Sequence, residues 1–193
     1  MYILAGQFKG RLLLSPEGKG TTRPITGHVK KSLFAMLGEM LTDQTVLDLY
    51  CGTGTMGLES LSRGAKRCYF ADRDPFALTQ LGQNIKTLNV ADKCTTWSGD
   101  IEACLGRWVN EVTDPIDVAF VDPPYATARE WDWASASEKV FAPLAPRLAS
   151  DGVVVLRVGD RTTVPETLGG LVTGRVRSYG DMLLVMLVRP ESE

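Results

Sequence analysis

The sequence is poor in the residues that build metal sites and contains no long apolar run. Four scattered cysteines form no C-x-x-C pair, and the single histidine, His28, leaves no His/Cys cluster for a structural zinc. No stretch approaches about eighteen consecutive apolar residues, and residues 1–6 lack the charged-then-apolar layout of a secretory signal. These features argue against a zinc-stapled or membrane-spanning protein. They predict a soluble cytoplasmic chain that binds no metal and keeps its thiols reduced.

The length and composition are those of an ordinary globular protein. A chain of 193 residues with 44% hydrophobic and 23% charged residues can bury a full core. We therefore predict a monomer with one domain over residues 1–193. Within it, an N-terminal hairpin and basic arm at 1–25 precede the main body at 26–193.

Basic residues are concentrated near the N-terminus although the whole chain is slightly acidic. Residues 1–40 contain six lysines and arginines against two glutamates, a net charge of +4, and the total of −2 leaves −6 for the remainder. A net acidic protein is not typical of general nucleic-acid binders. The asymmetry instead predicts a basic arm that meets phosphates, and the alternative is a set of ordinary solvated surface charges.

From residue 45 onward, apolar runs alternate with stretches of helical periodicity. The predicted strands are 46–50, 68–71, 94–97, 116–121 and 153–158, and the predicted helices are 55–63, 75–88, 101–110 and about 135–148. Thr26 is expected to cap an earlier helix that ends near Leu41. Runs that are apolar on both faces, such as 153–156, are typical of a parallel sheet covered by helices on both sides. The predicted fold class is therefore α/β.

Hairpins are predicted at both ends of the chain. Residues 2–14 predict a hairpin that presents Phe8, Lys9 and Arg11 near its tip. Near the C-terminus, the turn signal Gly180-Asp181 lies between two strand-like runs and predicts an antiparallel hairpin at the sheet edge.

A glycine-rich turn follows the first predicted strand. Gly52-Thr53-Gly54-Thr55-Met56-Gly57 matches G-x-G-x-x-G, and Asp72 ends the next strand twenty residues after Gly52. Glycines at this spacing allow a tight turn, a close approach of the backbone to a ligand, and close packing of the following helix. The pattern predicts a site for a nucleotide-like cofactor, and taken alone it also describes a dinucleotide-binding fold.

Three carboxylates at successive strand ends indicate which cofactor this is. Asp48 would sit badly against a pyrophosphate but suits a ligand that carries an ammonium and a sulfonium, as S-adenosylmethionine does. Asp72 can accept both ribose hydroxyls, and Asp100 is placed to accept from the adenine amine. Each aspartate has an alternative role as a cap of a turn or of the helix that follows it.

The fourth predicted parallel strand ends in Asp122-Pro123-Pro124-Tyr125. The Asp122 carboxylate and the Pro123 carbonyl can accept the N–H groups of an exocyclic amine, so that the nitrogen lone pair is free for attack on a methyl group. The two prolines stiffen the loop, and Tyr125 offers a face for stacking a planar base or amide. The alternative is a strand followed by a Pro-Pro turn with a half-buried tyrosine. A thiolate mechanism is disfavoured because the sequence contains no Pro-Cys pair.

Several segments together resemble the RsmD-type methyltransferases, which modify guanine N2 in small-subunit ribosomal RNA. These segments are 6–11 (GQFKGR), 22–26 (TRPIT), 46–54 (VLDLYCGTG), 61–65 (LSRGA), 122–125 (DPPY) and 179–181 (YGD). The resemblance implies a Rossmann-like class I methyltransferase fold, with a seven-stranded, mostly parallel sheet that has one antiparallel strand, helices on both faces and a small N-terminal β-hairpin. It also implies S-adenosylmethionine as cofactor, and ribosomal RNA or an assembling small subunit as partner.

The functional residues are predicted accordingly. The predicted cofactor contacts are Asp48, Tyr50, Cys51, Gly52, Thr53, Gly54, Asp72, Arg73, Asp100 and Ile101. The predicted catalytic residues are Asp122, Pro123, Pro124 and Tyr125. The predicted RNA contacts are Lys9, Arg11, Arg23 and Lys30.

Other functions remain open at this stage. Adenine N6 in DNA or RNA, and a glutamine amide in a protein, are alternative substrates because enzymes that methylate them use a similar Asp/Asn-Pro-Pro-aromatic loop. A nicotinamide-dependent oxidoreductase is disfavoured by Asp48 and by the Pro-Pro loop. Trp131 and Trp133 are expected either to wall the base pocket or to pack in the core.

Overall fold

The structure is a computed structural model that describes residues 1–15 and 25–190. The strands are β1 (Thr45–Leu49), β2 (Arg67–Asp72), β3 (Cys94–Ser98), β4 (Ile116–Val121), β5 (Leu148–Gly159), β6 (Thr167–Leu168), β7 (Leu171–Tyr179) and β8 (Met182–Val188). The α-helices are α1 (Gly27–Leu37), α2 (Thr55–Ser62), α3 (Pro75–Leu88), α4 (Ile101–Trp108), α5 (Tyr125–Glu130), α6 (Trp133–Ala136) and α7 (Ala142–Leu144). The predicted alternation of strands and helices is confirmed. The predicted RNA contact Arg23 lies outside the described residues.

The strands form one sheet in the order β3-β2-β1-β4-β5-β8-β7-β6. Strands β1 to β5 are parallel, whereas β8 runs antiparallel between β5 and β7. Parallel strands end at the same edge of a sheet, so β1, β2, β3 and β4 bring their carboxyl ends together. This is the edge at which the sequence places the glycine-rich turn and the strand-end aspartates.

The described sheet has eight strands with two reversed, rather than the seven with one reversed that were predicted. The additional strand is β6, which pairs antiparallel with β7 across Gly169-Gly170. Both glycines have positive φ, 59° and 87°, as a two-residue hairpin turn requires. A strand of two residues is too short to show alternation in the sequence. The C-terminal hairpin is β7–β8, and β8 is inserted inside the sheet instead of lying at its edge.

The helix predicted at about 135–148 is broken into short pieces. After α6, residues Ser137–Phe141 form a π-helical turn, and Ala145–Arg147 form a 3₁₀ turn after α7. Pro143 and Pro146 lie in these pieces and lack the N–H that a regular helix needs. Strand β5 then begins at Leu148, five residues earlier than predicted.

The N-terminal elements agree with the prediction. Tyr2 and Leu12 form an antiparallel bridge, and the Ile3 N–H donates to the Arg11 carbonyl over 3.0 Å. The Thr26 side chain accepts from the Val29 N–H, so it caps α1 as predicted. A 3₁₀ turn continues the helix over Gly38–Leu41.

Helices pack against both faces of the sheet and create two apolar layers. In one layer, Phe34 of α1 packs against Phe120 of β4 with ring centroids 5.9 Å apart. In the other, Trp97 and Trp108 stack at 5.5 Å. All four cysteines are within the described residues and are free thiols. No helix in the described ranges is long and apolar enough to cross a membrane.

Candidate cofactor site and active site

The glycine-rich turn leads from β1 into α2 as the sequence predicts. Gly52 and Gly54 adopt positive φ values of 53° and 82°. A Cβ on Gly54 would lie 2.3 Å from Leu81, and a Cβ on Gly57 would lie 2.3 Å from the Phe70 ring. Glycine is therefore required at Gly54 and Gly57 for α2 to pack against α3 and β2.

Asp48 lies in the interior at the end of β1. Its side chain is buried, with the residue 1% exposed, and one carboxylate oxygen accepts from the Gly57 N–H over 2.8 Å. Burial raises the pKa of Asp48 well above its ordinary range, and the nearby charges of Asp122 and Asp72 raise it further. Asp122 and Asp72 are therefore close enough to Asp48 to disfavour its ionised form.

Asp72 accepts from the backbone of the turns after β1 and β2, and Asp100 accepts from the backbone of the helix after β3. The Asp72 carboxylate accepts from the Gly52 N–H over 2.7 Å and from the Asp74 N–H over 2.9 Å. Asp100 caps α4 by accepting from the Ala103 N–H over 3.0 Å. The capping role that was the alternative for Asp100 is therefore present, and the same residue also lines the crevice described next.

A crevice opens at the carboxyl ends of β1, β2, β3 and β4. Its lining residues are Tyr50, Arg73, Asp100, Ile101, Glu102, Pro124 and Thr127. Sequence reasoning had named all of these except Glu102 and Thr127. The Tyr50 hydroxyl is buried and has no hydrogen-bond partner among the described residues. A nucleoside fits this lining, because Tyr50 and Ile101 offer apolar surface while Asp100 offers a hydrogen-bond acceptor.

Trp131 borders this crevice, and no sequence argument had fixed its role. Its indole Nε1–H donates to Glu102 over 2.9 Å, and its ring lies 6.3 Å from the ring of Tyr50. Trp133 meets the Trp131 ring edge-on at 5.5 Å. Trp131 therefore contacts two residues that line the crevice, while Trp133 packs against Trp131.

The other turn residues are interior. Cys51 and Thr53 are buried, and burial raises the pKa of the Cys51 thiol well above its usual range. The Thr53 carbonyl accepts from the Asn84 side chain over 3.1 Å. Asn84, which sequence reasoning missed, also bonds both backbone groups of Leu14. The available signal was an asparagine directly before Ile85, next to the apolar stripe of α3.

Asp122 begins the Pro-Pro corner directly after β4. Its N–H donates to the Leu49 carbonyl over 3.3 Å, which ties the corner to β1. Its carboxylate forms an ion pair with Arg157 of β5, which sequence reasoning also missed. Burial raises the pKa of Asp122, and the Arg157 guanidinium opposes that shift. Pro123 is buried, and the side chain of Tyr125 lies outside the described part of the structure.

The predicted RNA contacts fall into two groups. Lys9 and Arg11 are exposed on the N-terminal hairpin, as expected. The prediction for Lys30 is wrong, because its ammonium is fully buried and pairs with Glu59 at 2.8 Å. A basic residue enclosed in this way cannot reach an RNA phosphate in this fold.

Glu59 of α2 connects the hairpin to the helix that follows the glycine-rich turn. Its carboxylate accepts from the N–H groups of Leu4 and Ala5 over 2.8 and 3.1 Å. It also pairs with Lys30 and with Arg63, the latter over 2.9 Å.

Among the described residues, no group of three or more His, Cys, Asp or Glu side chains is placed to hold a metal ion.

Comparison with known proteins finds similar sequences and a similar fold. The family model "Conserved hypothetical protein 95" matches residues 1–188. The chain is 33% identical over 180 residues to "Putative rRNA methyltransferase YlbH" of Bacillus subtilis, which covers 93% of this chain and 94% of that protein. It is 32% identical over 123 residues to "Ribosomal RNA small subunit methyltransferase D" of Escherichia coli, covering 64% of this chain and 59% of that protein. The solved structure "Putative methyltransferase yhhF" from Escherichia coli matches with a TM-score of 0.79 and 25% identity over 98% of this chain and 97% of that chain. This likeness confirms the predicted class I methyltransferase fold.

Proposed function

The chain belongs to the conserved hypothetical protein 95 family, the RsmD family of methyltransferases, and from this membership we propose that it methylates the exocyclic N2 amine of a guanine in small-subunit ribosomal RNA. We propose S-adenosylmethionine as the methyl donor. The observation that carries the proposal is the placement of Asp122-Pro123-Pro124 at the same sheet edge as the glycine-rich turn and the strand-end carboxylates.

The residues at this edge suit the proposed donor. Asp72 is fixed beside Gly52, and we propose that its carboxylate accepts the ribose hydroxyls of the donor. Asp48 is a buried carboxyl group whose ionised form a cationic amino acid moiety would stabilise, whereas a pyrophosphate would repel it, so the site favours a cationic ligand. When bound, the donor would supply a methyl group already activated on a sulfonium.

The chain's own contribution is positioning and electrostatics. The Asp122 carboxylate and the Pro123 carbonyl accept hydrogen bonds from the target amine, which withdraws its lone pair from conjugation with the ring. A carboxylate at this position also stabilises the positive charge that grows on the nitrogen as it is methylated. Holding the amine in line with the methyl group accounts for much of the expected rate enhancement.

For RNA binding we propose Lys9 and Arg11 on the exposed hairpin, together with Arg23. The buried contacts of Glu59 hold this hairpin to α2, whose first turn is the glycine-rich segment. A guanine in folded RNA must leave its stack to reach the corner, at a cost of about a few kcal/mol that stacking on Tyr125 would partly recover.

The test is incubation of the protein with labelled S-adenosylmethionine and unmodified ribosomal RNA or small subunits, followed by nucleoside analysis. We expect N2-methylguanosine with the natural chain and none with Asp122→Ala, while the Asp122→Ala variant keeps its affinity for the donor. Lys66→Ala, which removes an exposed ion pair with Asp114, serves as the matched surface control. Appearance of N6-methyladenosine, or of label in protein only, would overturn the proposed substrate.

A further inference from the structure

Arg157 is a charged residue in the buried carboxyl-terminal half of β5. It follows the run Val153-Val154-Val155-Leu156 in β5 and is 6% exposed. An arginine in such a place is costly to bury unless a partner neutralises it. The parallel register pairs Val121 with Leu156, so the next position along β4, Asp122, lies beside Arg157. The ion pair between the two side chains follows from this alignment.

The cavity beside the pair is lined mainly by apolar side chains among the described residues. A small cavity is lined by Ile25, Leu33, Met56, Phe120, Val155 and Leu184 together with Asp122 and Arg157. These lining residues come from the segment before α1, from α1, from α2, and from β4, β5 and β8. Asp122 also acts electrostatically on Asp48 of the neighbouring strand β1. The interaction between Asp122 and Arg157 is therefore poorly screened by water.

Resting on the proposed function, we infer that Arg157 is a positioning residue, which holds the Asp122 carboxylate ionised and in one orientation for the incoming amine. The Arg157 Nε–H donates to one carboxylate oxygen. A carboxylate anchored at one oxygen keeps a single rotamer, so its other oxygen keeps one direction. An ionised carboxylate is also purely an acceptor, as the N–H groups of the target amine require.

The charge state of Asp122 depends on two opposing effects. Burial favours the protonated form and raises the pKa, whereas Arg157 favours the ionised form. A neighbouring opposite charge lowers a carboxyl pKa by about 1–3 units, so its removal is expected to raise the Asp122 pKa by a similar amount. Methyl transfer at neutral pH then decreases because a larger share of Asp122 carries a proton.

The experiment compares Arg157→Met and Arg157→Lys with the natural chain. For Arg157→Met we expect the acidic limb of the pH profile of kcat to move up by about 1–3 units. We also expect kcat at pH 7 to fall roughly 10- to 100-fold, with KM for RNA and the Kd of S-adenosylhomocysteine little changed. For Arg157→Lys, which keeps the charge but not the planar guanidinium, the limb should stay near its natural position while kcat is intermediate.

A readout that needs no methyl transfer separates this inference from the proposed substrate. The Asp122 pKa is measured by NMR on protein labelled at the aspartate carboxyl carbon, with Asp122→Asn to assign the signal. Arg157→Met should raise this pKa, and Arg157→Lys should leave it near its value in the natural chain. An unchanged Asp122 pKa in a folded Arg157→Met variant would overturn the inference. A natural chain that methylates some other nucleoside would overturn only the proposed substrate. If Arg157→Met fails to fold, the test uses Arg157→Lys alone. The inference would then be overturned if this variant had the same kcat as the natural chain and the same acidic limb in its pH profile.

Discussion

The buried charge cluster around Glu59 leads to the strongest stability prediction. Glu59 is fully buried and accepts from the N–H groups of Leu4 and Ala5 while pairing with Lys30 and Arg63. Glu59→Gln keeps the size and one acceptor oxygen but removes the negative charge. Burial already lowers the pKa of Lys30, and Glu59 is the main group that opposes this shift. The substitution therefore leaves an ammonium buried without its counter-charge.

The expected loss is large relative to the stability of an ordinary domain. Removing one partner of a buried ion pair costs about 3–5 kcal/mol. In a chain of this size, about 2–4 °C of melting temperature corresponds to 1 kcal/mol, so the melting temperature should fall by roughly 6–20 °C. Urea unfolding followed by circular dichroism measures the free energy directly. Because the hairpin backbone also loses an acceptor charge, hydrogen exchange at Leu4 and Ala5 should accelerate.

Two controls isolate the cause. Lys66→Ala breaks an ion pair in which the Lys66 side chain is 55% exposed and the Asp114 side chain 41% exposed. It should lower the free energy of unfolding by no more than about 1 kcal/mol. The double variant Lys30→Met/Glu59→Gln removes both charges and should be more stable than Glu59→Gln alone. A Glu59→Gln variant within 1 kcal/mol of the natural chain would refute the reasoning that the Lys30 charge depends on Glu59.

Three further predictions follow from single features. Because the Asp48 pKa is raised in the folded state, its contribution to stability is fully present below its ordinary pKa of 3.8 and is lost as pH rises through the raised value. Asp48→Asn should therefore increase the free energy of unfolding at pH 8, and urea titrations should show the difference vanishing at about pH 3. The same substitution should weaken donor binding in calorimetry. Lys9→Ala and Arg11→Ala should each weaken RNA binding and lower the slope of log K against log salt by about 0.7–0.9 in filter binding, and unchanged slopes would reject the hairpin as an RNA surface. Gly169→Ala should destabilise the protein by about 1–3 kcal/mol more than Gly170→Ala. Both glycines have positive φ, but only a Cβ on Gly169 would clash, because it would lie 2.1 Å from the Ala142 nitrogen. Equal losses of stability in thermal unfolding would contradict this.

The regular part of the fold was predictable because its signals are local. Strand β4 and helix α3 have the predicted bounds, since an apolar run and an apolar stripe are each complete within one segment. Strand β6 was missed because two residues show no periodicity. The broken helix before β5 was missed because the apolar spacing continues through Pro143 and Pro146, which interrupt the hydrogen bonding.

Site residues that belong to a local sequence motif were predictable, whereas contacts between side chains that are distant in the sequence were not. Asp72 is held beside Gly52 because the turn and the strand end are neighbours in any α/β sheet of this kind. Lys30 looked like a surface cation because nothing in the sequence joins it to Glu59, which lies on another helix. Arg157 likewise depends on the β4–β5 register, although an arginine after four apolar residues was a visible signal.

The most direct test of the central claim is a crystal structure of the protein with S-adenosylmethionine bound. We predict a donor that lies along the strand ends from Asp48 past Asp72 to Asp100, with its methyl group directed at Asp122 and Pro123. A donor found away from this edge, or with its methyl group pointing away from Asp122, would contradict the proposed chemistry.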